Sequence, residues 1–216
     1  DREKRIALDV ARKIFNRITV NELSQKLHAM RVPIRYAEQV RSMDNDYLRM
    51  IVFNHRPSLE KTFPEFIKAM NRLWGRRQDF RVWIPYYPKK QRSYEWLFTE
   101  VPITDRDKYY YGLRRSYFGV SPAQKFGHWS ASTADGLLNG VPYIMYDADY
   151  YRELNPNADF YRNQTGLLEL ANLYLDDDDY RNTKVHESLK TVFNTLILEE
   201  NTRAFSDKIN ELYSAH

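Results

Sequence analysis

One stretch of the sequence decides the fold: Phe126-Gly-His-Trp-Ser-Ala-Ser-Thr-Ala-Asp-Gly-Leu-Leu-Asn-Gly-Val-Pro-Tyr-Ile-Met-Tyr-Asp147. It begins as a loop rich in glycine and hydroxyl side chains, continues as a short helix that a glycine stops, and ends as a buried strand. Ser130, Ser132 and Thr133 fall where the helix should begin. A helix N-terminus has free N–H groups and a partial positive charge, so it binds anions such as phosphate. The stretch therefore predicts a nucleotide or sugar-phosphate site at the start of this helix.

Two further side chains of this stretch are candidates for contacts with a ligand. Asp135 lies in the first helical turn, where its carboxylate can reach a sugar hydroxyl, and His128 can donate a hydrogen bond to a phosphate or a sugar oxygen. The alternative for Ser132 and Asp135 is a plain capping box, with Asp in place of the usual Glu. A lone histidine is also more often a structural hydrogen-bonding group. The sequence leaves both interpretations open.

A second candidate segment is Asn54-His-Arg-Pro-Ser-Leu-Glu-Lys61. It lies between an apolar run, 47–53, and a helix that Thr62-Phe-Pro-Glu65 should open as a capping box. Ligands of open α/β sheets bind outside the carboxyl ends of the strands, so Arg56 and Lys61 should face that crevice. Arginine offers a planar fork to phosphate oxygens and lysine a mobile point charge. The alternative is a pair of surface cations on a loop.

A third candidate is Asp147, which should lie at the carboxyl end of a strand over residues 142–146, with Glu153 one turn later. Either carboxylate can hold sugar or ribose hydroxyls, and the alternative is a pair of surface acids. The five histidines show no spacing typical of metal ligands. We therefore expect no metal site.

Short apolar runs alternate with amphipathic helical patterns along most of the chain, which predicts βαβ units and a parallel sheet. The predicted fold is α/β, a Rossmann-like parallel sheet flanked by helices. We predict a helical segment over residues 1–46, a Rossmann-like domain over 47–180 and C-terminal helices over 181–216. The predicted strands span 47–53, 80–84, 117–120 and 142–146, with a less clear one over 93–101. The predicted helices span 3–17, 19–28, 62–74, 105–116, 132–139, 165–175, 184–198 and 200–214.

Composition sets broad limits on function. Hydrophobic residues make up 43% of the 216 residues, which is enough for a sizeable core. No run of about 18 apolar residues occurs, so we expect no transmembrane helix. The net charge of +4 suits an anionic ligand, although many proteins share this balance. The chain has no Cys, which excludes disulfides and fits the cytoplasmic location that we expect.

The order of these motifs resembles the donor-binding half of GT-B glycosyltransferases. The strand ending in Asn54-His-Arg56, followed by Lys61, is similar to the family's strand with an Arg and a nearby Lys. Val120-Ser-Pro122 is similar to its strand-plus-Ser segment. Asp135-Gly-Leu-Leu-Asn-Gly-Val-Pro142 resembles its Glu-Ala-x-x-x-Gly-x-Pro. The resemblance covers about residues 47–180.

The resemblance implies transfer of a sugar from a nucleoside diphosphate sugar to an acceptor hydroxyl, with no cofactor besides that co-substrate. Arg56 and Lys61 would hold the donor diphosphate and Asp135 the ribose. The helix start at Ser130–Thr133 would add donors. The N-terminal acceptor-binding domain would be missing, with residues 1–46 as its tail, so the chain alone would be incomplete for catalysis.

Two other functions remain open on the sequence. The acceptor can be a modified DNA or RNA, because tyrosines 109–111 lie near Arg114 and Arg115 and aromatic rings can stack on bases. The chain can also be a non-enzymatic Rossmann-like binding or assembly domain, whose candidate site residues are only caps and surface charges. Selective nucleotide binding distinguishes the two glycosyltransferase functions from the non-enzymatic one.

Overall fold

The computed structural model describes residues 49–87, 93–98, 105–126 and 130–196. They belong to one compact unit of the chain, Ile34–Ile197. A turn of 3-10 helix, Leu59–Lys61, precedes the first helix. In chain order the strands and helices are β1 Arg49–Val52, α1 Phe63–Trp74, β2 Phe80–Trp83, β3 Leu97–Phe98, α2 Arg106–Arg114, β4 Phe118–Ser121, α3 Ala131–Leu138, β5 Tyr143–Tyr146, α4 Asp149–Leu154, β6 Asp159–Tyr161, α5 Gln164–Asp176 and α6 Asp178–Leu196.

The strands form one parallel sheet in the order β3-β2-β1-β4-β5-β6. The chain builds outward from β1 to β3, returns to place β4 beside β1, and then builds outward in the other direction. Where the order reverses, the connections leave toward opposite faces and open a crevice at the carboxyl ends of β1 and β4. The predicted α/β Rossmann-like sheet is thus confirmed.

Apolar side chains cover both faces of the sheet, as expected for parallel strands. Ile51 of β1 belongs to a buried cluster with side chains of α1 and α5. Its neighbours Met50 and Val52 belong to a second cluster, with side chains of α2, α3 and α4. Successive residues of a strand point to opposite faces, so a short apolar run supplies both cores.

The predicted helix over 62–74 forms as α1, but it does not begin as predicted. Thr62 has φ 44° and ψ 37°, in the left-handed region, and its side chain does not cap the helix. A side chain that caps a helix N-terminus usually belongs to an extended residue, and a left-handed Thr62 does not aim its hydroxyl at the N–H of Glu65. The capping box predicted over Thr62–Glu65 is therefore wrong. The Thr62 hydroxyl instead donates to the Ala123 carbonyl at 3.2 Å.

Helix α3 packs unusually close to β5. A Cβ atom added at Gly136 would lie 2.1 Å from the Tyr143 hydroxyl, so only glycine allows this approach. Gly140, at φ 75°, ends the helical stretch as predicted. The close packing fixes the position of the helix whose N-terminus faces the crevice.

Other predictions need correction or lie outside the described residues. Helix α4 and strand β6 were not predicted, β3 has only two residues, and α6 begins at Asp178 rather than at residue 184. The helices predicted over 3–17, 19–28 and 200–214 fall outside the described residues. Within those that are described, no helix is long and apolar enough to cross a membrane.

Candidate functional site

A cavity of about 310 Å³ lies at the carboxyl ends of β1 and β4, where the strand order reverses. The structure brings four of the predicted site residues to its wall: Arg56, Lys61, Ser130 and Ser132. They come from the segment that follows β1 and from the start of α3, which are about 70 residues apart in the sequence. The remaining lining residues are His55, Glu60, Gln124 and Ala131.

The two predicted cations differ in their surroundings. Arg56 is exposed, and no ion pair or hydrogen bond joins its guanidinium to the part of the chain that the structure describes. The Lys61 ammonium donates a hydrogen bond to Gln124 Oε1 and lies 3.4 Å from a Glu60 carboxylate oxygen. Arg56 is thus available to a ligand, whereas Lys61 is already held in place.

The N-terminus of α3 forms another part of the wall. Ser130 caps the helix, because its hydroxyl accepts a hydrogen bond from the N–H of Thr133 at 3.2 Å. The predicted capping box between Ser132 and Asp135 is therefore wrong, since the cap lies two residues earlier. The N–H groups of Ala131 and Ser132 make no hydrogen bond within the described residues. With the helix dipole, they favour an anion.

Thr133 lies behind this wall and is fully buried. Its hydroxyl lies 2.7 Å from Ser121 Oγ, 3.0 Å from Ser130 Oγ and 3.3 Å from His55 Nε2. Thr133 was predicted to bind a ligand, but it does not line the cavity. It lies behind the lining residues Ser130 and His55 and contacts both.

His55 was not singled out from the sequence as a site residue. Its ring is buried and packs edge-on against Phe53, with ring centroids 5.5 Å apart. Burial, and then the charge of Lys61, lower the pKa of His55 to about 3. The imidazole is therefore neutral at physiological pH and adds no charge to the cavity. Its only sequence signal was its place after a strand, directly before Arg56.

The buried side chain of Asn54, which follows β1, holds the N-terminus of α3 in place. Its amide nitrogen donates to the Ser132 carbonyl at 2.6 Å and to the Tyr109 hydroxyl at 2.9 Å. Its amide oxygen accepts from the Tyr143 hydroxyl at 3.0 Å. This buried network ties β1, α2, α3 and β5 together, and it holds Ser132 at the cavity.

Asp135 lies one turn further along α3, outside the cavity wall. Burial raises the pKa of its carboxyl to about 6, and the charge of Arg106 opposes the shift. Its carboxylate has no hydrogen bond among the described residues. The half-exposed Tyr86 lies close enough for the Asp135 charge to add to the effect of burial, and both raise the pKa of Tyr86. Asp135 is thus a half-buried carboxylate without a hydrogen-bonding partner in the described chain.

Asp147 has very different surroundings. Arg162 Nε lies 2.7 Å from one carboxylate oxygen, and Arg152 contacts the other at 2.6 Å. Hydrogen bonds from Arg162 and Arg152 lower the pKa of Asp147. The predicted contact of Asp147 with a ligand stays a prediction, but both oxygens already have partners. His128 lies outside the described residues.

The predicted stacking surface for bases finds limited support. Tyr109 and Tyr110 are buried, and only Tyr111 of the three tyrosines is exposed, at 53%. The Tyr111 ring already lies under the Arg115 guanidinium, 5.2 Å from its centroid. In the part of the chain that the structure describes, no group of three or more His, Asp and Glu side chains is arranged to hold a metal ion.

No protein-family profile and no curated protein sequence matches this chain. Solved structures do match. Trehalose 6-phosphate synthase from Burkholderia multivorans gives a TM-score of 0.63 at 10% identity over 77% of this chain and 43% of its own. A TarM variant from S. aureus, determined in complex with fondaparinux, α-GlcNAc-glycerol and UDP, gives 0.62 at 9% over 96% and 46%. The C-terminal domain of a glycosyl transferase group 1 family protein, LpcC from Francisella tularensis, gives 0.53 at 14% over 67% and 84%.

These similarities show the fold, and the resemblance to GT-B glycosyltransferases is confirmed at that level. The chain spans less than half the length of TarM and of the synthase. It covers most of the LpcC C-terminal domain.

Proposed function

We propose that this chain is the donor-binding half of a GT-B glycosyltransferase, which transfers a sugar from a nucleoside diphosphate sugar to an acceptor hydroxyl. The acceptor-binding half would be supplied by another part of the whole protein. The cytoplasmic location expected from the sequence stays a prediction.

The observation that carries this proposal is the position of the cavity. It lies where the strand order reverses, and its wall combines the Arg56 guanidinium, which has no partner within the described residues, the ammonium of Lys61 and the N-terminus of α3. Among the lining side chains these two cations face one carboxylate, Glu60, while His55 is neutral. The lining therefore carries a net positive charge and suits a diphosphate.

The fold neighbours support the same proposal. Trehalose-6-phosphate synthase is described as an enzyme of glycosyltransfer, LpcC is named as a glycosyl transferase group 1 family protein, and the TarM structure contains UDP. The match to an isolated C-terminal domain agrees with a chain that forms one half of such an enzyme.

The chemistry follows from the charges. When the bond between the sugar and the diphosphate breaks, negative charge grows on the leaving oxygen. Arg56, Lys61 and the N–H groups of α3 would stabilise that charge, and their contribution grows toward the transition state. Asp135 lies one turn away on the same helix and would accept hydrogen bonds from ribose hydroxyls.

The test is thermal unfolding of the chain with UDP, GDP, ADP, dTDP and CDP, each in large excess. A ligand at about 100 times its dissociation constant adds about 2.7 kcal/mol of stability, which for a chain of this size raises the melting temperature by roughly 5–10 °C. We expect a rise with at least one diphosphate and a much smaller one with the matching nucleoside. No rise with any of the five would contradict the proposal.

The variant Arg56→Ala tests whether the diphosphate binds in the cavity. Loss of a charge-assisted hydrogen bond should weaken diphosphate binding by about tenfold to a hundredfold and leave nucleoside binding almost unchanged. Arg72→Ala is the matched control, because Arg72 is an exposed arginine in the last turn of α1 and does not line the cavity. Equal losses of nucleoside and diphosphate binding in Arg56→Ala would place the diphosphate elsewhere.

A further inference from the structure

The loops that follow β1 and β4 are joined by hydrogen bonds between two three-residue segments, 60–62 and 123–125. The Lys61 ammonium donates to Gln124 Oε1. The Lys125 N–H donates to the Glu60 carbonyl at 2.9 Å, and the Thr62 hydroxyl donates to the Ala123 carbonyl at 3.2 Å. We call these two segments the clasp. It joins the two sides of the crevice next to the cavity.

Part of the clasp is held in a strained conformation. Thr62 is the one residue other than glycine with a positive φ in the described parts of the chain, and it is β-branched, for which this region is unfavourable. Its hydroxyl serves the clasp and does not cap α1. Such strain persists only where the surrounding structure enforces it, and it is frequent at binding sites.

Gln124 is fixed from the side opposite to Lys61. It is 7% exposed, and its amide nitrogen donates to the Tyr151 hydroxyl at 3.0 Å. Its backbone N–H donates to the Tyr150 hydroxyl at 3.1 Å. Both tyrosines belong to α4, so this helix orients the amide and directs Oε1 toward Lys61.

The chemistry of Gln124 is suited to holding a cation for a ligand. A lysine side chain loses much conformational freedom when it is immobilised, so holding it beforehand reduces the cost of binding. A neutral amide oxygen holds the ammonium without cancelling its charge. Glu60 lies 3.4 Å away and would neutralise Lys61 if the ammonium moved fully onto it.

We propose that Gln124 is a positioning residue of this site, which through the clasp holds the Lys61 ammonium ready for the donor diphosphate. This inference rests on the proposed function for its ligand. Gln124 acts through Lys61, so the effect of removing it should depend on Lys61 being present.

The experiment is a double-mutant cycle with Lys61→Met and Gln124→Leu, in which calorimetry measures the affinity for whichever of the five diphosphates gives the largest thermal shift. Gln124→Leu should weaken binding by about fivefold to tenfold, the effect of about one hydrogen bond. In the Lys61→Met background the same change should have almost no effect. Gln78→Leu, at an exposed glutamine away from the cavity, is the matched control and should bind as the wild type does. Additive losses, or normal binding by Gln124→Leu, would overturn the inference.

A ligand-free measurement separates this inference from the proposed function. The ammonium protons of a held lysine exchange slowly with water, so NMR at low temperature should show the Lys61 ammonium signal in the wild type. Gln124→Leu should abolish the signal, and the exposed Lys68 provides the reference for a freely exchanging ammonium. If no diphosphate binds, the proposed function fails, while this signal still decides the positioning of Lys61. An unchanged Lys61 signal in Gln124→Leu would refute the inference.

Thr62→Val provides a second variant if Gln124→Leu does not fold. It keeps the β-branched shape and removes only the hydroxyl that reaches Ala123. We expect a loss of diphosphate affinity of about twofold to fivefold, which should disappear in the Lys61→Met background. A loss of the same size with and without Lys61 would mean that the clasp does not act through Lys61.

Discussion

The two carboxylates predicted to hold sugar hydroxyls, Asp135 and Asp147, have opposite surroundings. Asp135 is half-buried on α3, has no hydrogen bond to the described chain, and has a pKa raised by burial to about 6. Asp147 follows β5, and hydrogen bonds from Arg162 and Arg152 lower its pKa. The sequence presents both as acids close to a helix or strand end, and only the fold separates them.

The difference indicates what each carboxylate contributes. Asp147 joins α4 to the end of β6 through its two arginines, so its charge stabilises the fold. Asp135 destabilises the fold when it is ionised, because its half-buried charge has no hydrogen bond within the described residues and the charge of Arg106 offsets only part of the effect of burial. A half-buried group of this kind suits a contact with a ligand, whose hydroxyls would satisfy it.

The largest effect is expected from a change that moves α3, the helix that carries Asp135, because the burial of Asp135 depends on where this helix packs. In Gly136→Ala the new methyl group would lie 2.1 Å from the Tyr143 hydroxyl and would push α3 away from β5. We expect the free energy of unfolding to fall by about 3 kcal/mol. The burial of Asp135 should also decrease, so its pKa should move down toward 3.8. Chemical denaturation and carboxyl NMR measure the two effects.

Gly166→Ala is the control for this change. Gly166 is also helical, in α5, and a Cβ atom there would meet nothing closer than 3.8 Å. Alanine should leave stability unchanged or raise it by up to about 1 kcal/mol. Equal losses in the two variants would show that close packing of α3 on β5 is not the cause.

The second largest effect is expected for Asp135→Asn, and it should be a gain. The folded-state pKa of about 6 lies above the unfolded value, so the folded protein binds the extra proton between about pH 4 and 6 and becomes less stable as pH rises through that range. Two pKa units correspond to at most about 3 kcal/mol, and we expect Asp135→Asn to gain about 2 kcal/mol at pH 8. Below pH 4 the gain should vanish.

Denaturant titrations at pH 4, 6 and 8 measure this gain, and binding of a nucleoside measures the ligand contact. If Asp135 holds the ribose, Asp135→Asn should be more stable than the wild type and bind the nucleoside more weakly. A variant that is less stable at pH 8 would show that the ionised carboxylate has a stabilising partner.

Much of the fold could be predicted because its determinants are local. The apolar runs before Asn54 and after Pro142 and the spacing in α1 are visible in the sequence, and they give β1, β5 and α1. Strand β6 has three half-buried residues and no apolar run, and α4 has no side-chain cap. Their formation depends on pairing with β5 and on packing, which the sequence does not display.

The site shows the same division. Arg56, Lys61 and Ser130 could be predicted because each follows a predicted strand or opens a predicted helix. His55 and Gln124 were missed because their roles arise from contacts with residues 78 and 63 positions away, Thr133 and Lys61. Thr62 was assigned to a capping box because the sequence pattern fits one. Its left-handed backbone depends on the clasp and cannot be predicted from a threonine at this position.

Asp147→Asn should change stability in the opposite direction to Asp135→Asn and by less. The folded-state pKa of Asp147 lies below its unfolded value, so its contribution is present above about pH 4 and is lost as pH falls through the lowered pKa. The variant should therefore melt below the wild type at pH 7, and the difference should shrink in acid. Because Arg152 and Arg162 are exposed, 1 M salt should also reduce it. A difference that grows in acid would contradict this assignment.

The smallest expected effect tests what sets the raised pKa of Asp135. Arg106, in the first turn of α2, is the one cation among the described residues whose charge opposes the effect of burial on Asp135. Arg106→Gln should therefore raise the pKa of Asp135 above about 6, because burial then acts unopposed. Lys108→Gln, at an exposed position on the same helix, removes the same charge and should leave that pKa in place. A carboxyl NMR titration follows Asp135 in both variants. An equal rise of the Asp135 pKa in both variants would mean that the net charge of α2 matters and not the position of Arg106. A fall of that pKa in Arg106→Gln would mean that the arginine side chain affects Asp135 mainly by burying it and not by its charge.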